Sequence, residues 1–394
     1  MSELPNVSAP VRLTRRGHAP PSTPPRPDAV TREQSGVDAN ALAVALQERV
    51  RGEVRFTEGD RALYSTDASN YRQIPIGVVV PRDADDVVTT VSVCREFGVP
   101  IFARGGATDL AGSTCNAAVV IDMSKYMNRV LEIDWDAKWA RVEPGTVLDD
   151  LRNRAEERHL TFGPDPATHQ RNTLGGMIGN NSCGMHAQMA GKVEENTEAL
   201  EILTYDGLRM WVGPTTDAEL ETIIAAGGRR GDIYARLKHI RDTYADQIRK
   251  KFPHIPRLVS GYPLQQLLPE YGFNVARALV GTENTCVTVL EAKLRLVHSP
   301  PCRTLVVFGF ADIFTAGDRV PFCNAHHPIA LEGIDSSMFT YMHDKGMSTA
   351  GRAMLPEGNA WLVVEFGADT RAAADEQARG LMSAFAALRR AMPL

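Results

Sequence analysis

The stretch RGGATDLAGSTCN, Arg104–Asn116, follows directly on the apolar run VPIFA, and the reading of the chain turns on it. Upstream, IPIGVVVP has the make-up of a buried strand closed by Pro81. RDADDVVTTVSVCREFG then places acids at a helix start, repeats apolar residues at Val87, Val91 and Cys94, and ends on Gly98. VPIFA is a second strand, so the unit is strand, helix, strand, with the glycine stretch at its carboxyl edge. Glycine tolerates positive φ and lets another group approach the main chain. Successive amides in such a turn make a nest of donors for phosphate oxygens. For Gly105-Gly106 taken alone, a plain tight turn is the favoured reading. A Rossmann turn does not fit: the spacing is not GxGxxG, and CNAAVVIDM resumes as a strand where a helix is required.

A second stretch, FGPDPATHQRNTLGGMIGNNSCGMHAQMAGK from Phe162 to Lys192, has five glycines after Pro166 and little that could build a core. Long irregular segments between strands are commonly functional. A third, VGTENTCVTVLEAKLRL from Val280, sets a glycine turn before a strand. Elsewhere DANALAVALQERV suggests a helix with a stripe at Ala41, Val44, Leu46 and Val50, and AVVIDM, WARVEPG and EALEILTYDG read as strands. The region from GPTTDAEL through FPHIPRLVSGYPL reads as irregular. After it, CRTLVVFGF, PIALEGID and AWLVVEFGAD read as strands, followed by a terminal helix with an apolar face at Leu381, Met382, Phe385 and Leu388.

The chain has 394 residues, of which 43% are hydrophobic and 23% charged, as in globular proteins, and its net charge of −5 gives no footprint for nucleic acid. No apolar run approaches the roughly 18 residues of a membrane span. The first thirty residues lack the apolar core of a signal peptide and hold seven prolines, which predicts a disordered extension over 1–36. Six cysteines lie far apart with no CxxC pair, as expected for a reducing cytoplasm. His326-His327 points to opposite sides of an extended chain and is not read as a metal pair; no metal site is expected. Cys183 lacks a Cys-His-Asn setting and is read as packing.

With these stretches in order, the sequence from about Tyr64 to Gly367 resembles the FAD-binding PCMH-type flavoproteins, also called the vanillyl-alcohol oxidase type. Among them it most resembles the FAD-linked D-lactate, glycolate and 2-hydroxyglutarate dehydrogenases. Their first signature, like RGGGTSLAGQ, is matched by Arg104–Gly112; their second, like PDP…TIGGMIANNSSG, by Pro164–Pro166 and Thr173–Gly184; their third, like GTEGTLGVITEATLRL, by Gly281–Leu296. The resemblance implies an α+β fold: a two-subdomain PCMH-type FAD-binding domain at 37–299, then an incomplete α+β substrate (cap) domain at 300–394. It implies that Arg104, Gly105, Gly106, Ala107, Thr108 and Asp109 face the FAD pyrophosphate. Asp165, Pro166, Ala167, Thr168, His169, Gln170 and Arg171, with Thr173, Gly176, Asn180, Asn181 and Gly184, would fold over the pyrophosphate and flavin. Glu283, Asn284, Thr285, Cys286, Val287, Thr288 and Val289 would lie beside the adenine and ribitol. The first loop holds no His or Tyr for covalent attachment, so noncovalent FAD is implied.

Four departures from the signatures bear on that site. Ala107 replaces a glycine, which a methyl tolerates only at negative φ. Asp109 replaces serine and brings a carboxylate toward a pyrophosphate. Asn284 replaces glycine, though Asn is at ease in the left-handed region. Cys286 and Thr288 replace larger apolar residues. Together they imply altered FAD binding. The function implied is hydride transfer from the α-carbon of a small 2-hydroxy acid to FAD. No stretch like HxGDGNxH, where relatives carry their catalytic histidines, occurs in these residues, so the catalytic residues are unknown. The alternative is a catalytically silent FAD-binding subunit or truncated relic, with self-association or a partner chain completing the C-terminal domain.

Overall fold

The computed structural model describes residues 37–391; the Pro-rich extension lies outside the described residues. Four short strands form the first sheet: β1 (Glu53–Arg55), β2 (Gly77–Val80), β3 (Ile101–Arg104) and β4 (Val119–Asp122), in the order β1-β2-β4-β3. β2, β4 and β3 run parallel, and β1 joins antiparallel at the edge. The helix Ala84–Glu96 makes the β2–β3 crossover, as its sequence predicts. The Asp83 carboxylate accepts from the amides of Asp85 and Asp86, and Val87, Val91 and Cys94 are buried. The helix Ala39–Arg49 buries Leu42 and Leu46, with Val50 behind them, while Val44 is 53% exposed. The four-residue spacing from Leu42 sets that face, one residue on from the predicted Ala41.

The second sheet is antiparallel: β5 (Val130–Asp134), β6 (Trp139–Val142), β8 (Thr197–Leu203), β9 (Arg209–Val212) and β10 (Thr288–Arg295), ordered β5-β6-β10-β8-β9. β10 returns into the middle and buries Thr288, Leu290, Ala292 and Leu294 in strict alternation. Leu203 and Leu290 pack with Val87, Val91, Ile121 and Met123, so one apolar layer joins the two sheets. A pair of two-residue strands, β7 (Leu160–Thr161) and β11 (Val297–His298), lies beside it. The segment read as irregular contains two helices, Asp217–Ala226 and Gly228–Lys251. Along the second, Tyr234, Arg241 and Ile248 are buried at seven-residue spacing. One narrow stripe on a charged helix leaves little amphipathic signal to read.

β12 (Cys302–Phe310), β13 (Ala330–Asp335) and β14 (Ala360–Ala368) form a separate antiparallel sheet, ordered β12-β14-β13. The terminal helix Arg371–Ala391 crosses it, setting Ala378, Leu381 and Phe385 against Val306, Phe310, Leu362, Val364 and Phe366. Met382, predicted on that face, is 52% exposed, because it lies about 100° around the helix from Leu381. Leu381 is fully buried, so Leu381→Ala should cost about 2–5 kcal/mol. Chemical denaturation followed by near-ultraviolet circular dichroism checks this.

Candidate functional site

A cleft of about 620 Å³ opens between the first sheet and the short helix Leu174–Asn180 that sits on the second. Its floor is the main chain after β3. Among the described residues, the amides of Gly105, Gly106, Ala107, Thr108, Asp109 and Leu110 have no hydrogen-bond acceptor in the protein. None of these six residues is buried, so the amides are open to water or to a bound acceptor, and six in a row offer a ligand a concentrated set of donors. Asn172, 5% exposed, also lines the cleft. Its Nδ2 donates to Thr168 Oγ1 at 3.2 Å while its Oδ1 has no partner. Free amides and a buried acceptor fit a phosphate-bearing, hydroxyl-rich ligand.

The glycines are needed for a reason the sequence did not disclose. A Cβ on Gly106 would sit 2.1 Å from Arg171 O, and one on Gly105 would sit 1.9 Å from Thr173 Oγ1. The first loop therefore lies in direct contact with the second segment, and the missing side chains make room for protein rather than ligand. The third segment is tied to both. Gly281 N donates to Ile178 O at 2.8 Å and Glu283 N to Gly179 O at 2.9 Å. The Asn284 amide, with its oxygen toward β3, accepts from Ala103 N at 2.7 Å and donates to Val287 O at 3.1 Å.

Of the residues expected here, Arg104–Asp109, Pro166, Ala167, Thr168, Thr173, Gly176, Asn180, Glu283, Asn284, Val287 and Val289 line the cleft. Others stand behind it. Asp165 binds His186, and Gly184 packs on Asp165 O. His169 Nδ1 lies 2.8 Å from Asp149 Oδ2. Gln170 and Arg171 are exposed, with only the Arg171 carbonyl reaching Gly106. Asn181, at φ 56°, exchanges two hydrogen bonds with buried Glu194. Thr285 bonds Tyr262, Cys286 faces solvent and Thr288 begins β10. Sequence reasoning missed Leu110, Ser113, Asn172, Met177, Leu279 and Thr282 on the cleft wall. All but Leu279 lie inside the quoted stretches, and that position was their only signal.

Several side chains differ from expectation in posture. Arg104 lines the cleft by its main chain, while its buried guanidinium donates to Tyr64 O, Thr66 O and Thr114 O. Asp109 does not pair with Arg104; its carboxylate accepts from Ala111 N at 2.8 Å and Ser113 N at 2.9 Å. Ala107 takes φ 53°, the sign that a methyl was expected to exclude, and its carbonyl accepts from Ala68 N. Asn284 sits at φ 62°, as its side chain permits.

At the far end of the second segment, His186 is buried between Asp165 and the C-terminal sheet. Its Nδ1 is hydrogen bonded to Asp165, its Nε2 lies 3.5 Å from Glu365 Oε1 on β14, and Arg303 on β12 reaches the same oxygen at 3.4 Å. Burial alone would depress the imidazole pKa, but the Asp165 and Glu365 carboxylates overcome it and hold it at about 9. Arg303 Nη1 also lies 3.3 Å from His186 Nε2, so His186, Arg303 and Glu365 together tie the cleft wall to the C-terminal sheet.

A cleft floored by amides without protein acceptors, where three glycine-bearing turns meet on an α+β frame, has the donors and the room for a phosphate-bearing dinucleotide. Residues 75–213 match the family described as the FAD binding domain, and FAD is the cofactor this match supports. The chain is 34% identical to the D-2-hydroxyglutarate dehydrogenase of Pseudomonas putida over 292 residues, which are 73% of this chain and 29% of that protein. It is 27% identical over 316 residues to the glycolate oxidase subunit GlcD of Bacillus subtilis, covering 78% of this chain and 57% of that one. Among solved structures, an alkyldihydroxyacetonephosphate synthase shares the fold with a TM-score of 0.59 at 16% identity, over 87% of this chain and 58% of that one. The chain thus spans less than a third of the length of the dehydrogenase. Among the described residues no helix is long and apolar enough to cross a membrane.

Gly106→Ala should push the first loop off Arg171, lowering FAD uptake while far-ultraviolet circular dichroism stays unchanged; flavin fluorescence titration measures it. For His186, a folded pKa near 9 against an ordinary 6.5 means that its stabilisation is complete below pH 6.5 and lost as pH rises through 9. Thermal unfolding from pH 6 to 9.5 should show wild type losing on the order of 2 kcal/mol. His186→Gln should lack that loss.

Proposed function

We propose that the chain is the flavin-binding part of an FAD-dependent oxidoreductase acting on a small 2-hydroxy acid, with FAD held noncovalently in the cleft. In this reading residues 37–299 hold the cofactor and 300–394 belong to a substrate-facing cap. The observation that carries it is the run of six acceptor-free amides from Gly105 to Leu110, set where the three motifs meet. Bound FAD would supply hydride acceptance from the substrate α-carbon. The chain's own share is to hold the pyrophosphate on those amides, offer Asn172 Oδ1 to a hydroxyl or N–H, and exclude water with Met177, Ile178 and Leu279. The names of its relatives, a 2-hydroxyglutarate dehydrogenase and a glycolate oxidase subunit, support the substrate class.

A second reading has its own support. No histidine lines the cleft among the described residues, and one relative is named as a subunit. The chain would then carry flavin for an enzyme whose base comes from another polypeptide. One experiment separates the two. Purified protein should show a flavin spectrum, with the FAD released by acid, and D-2-hydroxyglutarate, D-lactate or glycolate should bleach it without oxygen. Flavin that none of them bleaches favours the subunit reading. Colourless protein that takes up no FAD overturns both.

A further inference from the structure

The charges around the cleft run against its ligand. Among the described lining residues Arg104 is the one cation, and its guanidinium is turned to three main-chain carbonyls. Two carboxylates line the same space: Asp109 on the first loop and Glu283 on the third. Asp109 is held by the amides of Ala111 and Ser113, so its position is fixed. Glu283 is fixed by its main chain, at φ 47° with its amide on Gly179 O, and its side chain makes no hydrogen bond among the described residues. The helix packed against it, Leu174–Asn180, brings no titratable side chain, and its own turn brings only Cys286. Asp109 is the charged group that acts on it.

We propose that Asp109 and Glu283 set the affinity of the cleft for the dianionic pyrophosphate and couple FAD uptake to proton uptake at Glu283. The proposal rests on the reading of the cleft as the FAD site. Desolvation against the cleft wall and repulsion by Asp109 both raise the Glu283 pKa above the ordinary carboxylate value. An arriving pyrophosphate adds negative charge to the cleft that Glu283 and Asp109 both line, which raises it further and favours the protonated carboxyl in the complex. FAD affinity should then fall as pH rises. The amides supply attraction that does not change with pH, so the whole pH dependence falls on the carboxylates.

The test is FAD affinity, read by quenching of flavin fluorescence on the apoprotein from pH 5.5 to 8. Wild type should weaken with rising pH, by at most about tenfold per unit, the limit for one linked proton. Glu283→Gln should flatten the profile and bind FAD about threefold or more tighter at pH 8. Asp109→Asn keeps an acceptor for Ala111 and Ser113 and removes the charge; it should also bind tighter at pH 8. A flat wild-type profile, a slope that survives in Glu283→Gln, or no gain in either variant overturns the proposal while the FAD reading stands. A chain that takes up FAD at no pH overturns both.

Discussion

Everything at the site depends on how closely two loops touch. Arg171 O occupies the space where Gly106 would carry a side chain, and Thr173 fills the corresponding space at Gly105. That contact leaves the first loop one way to face: its main chain turns toward the cleft, and its amides cannot fold back onto local carbonyls. Asp109 completes the arrangement by drawing in the next free amides, those of Ala111 and Ser113. The donors from Gly105 to Leu110 are thereby left for a ligand. Water satisfies these half-exposed amides until a ligand with phosphate oxygens displaces it.

This explains what could be read from the sequence and what could not. The β2–helix–β3 unit was legible because its acids, apolar period and closing Gly98 agree with one another. β10 was legible as an alternating strand, and Asn284 as a residue suited to positive φ. The role of Gly106 was not legible, since its partner lies 65 residues away and nothing local distinguishes room for a backbone from room for a ligand. Ala107 defeats a rule of local sterics because tertiary contact, including its carbonyl on Ala68 N, outweighs a penalty of roughly 1–2 kcal/mol. The long helix Gly228–Lys251 was missed because its few buried positions, Gly231, Tyr234, Arg241 and Ile248, are spread among charged residues.

The cations follow a common pattern. Arg104 braces Tyr64, Thr66 and Thr114, Arg303 meets Glu365, and Arg277 holds the carbonyls of Glu195 and Thr197. Each spends its hydrogen-bond donors on backbone or a carboxylate rather than offering them to the cleft. An anionic cofactor is then held chiefly by neutral dipoles, whose aim is fixed by the fold and whose strength does not titrate.

The second segment joins two duties that would otherwise be separate. Its middle, from Asn172 to Ser182, forms the cleft wall, while its end carries His186 to the C-terminal sheet. Asp165 holds both ends together, accepting from His186 N and packing its carbonyl on Gly184. A shift of β14 relative to the cleft must therefore either break a buried ion pair or move the wall. The contact of His186 with Glu365 and Arg303 thus makes the position of the C-terminal sheet a determinant of cleft shape.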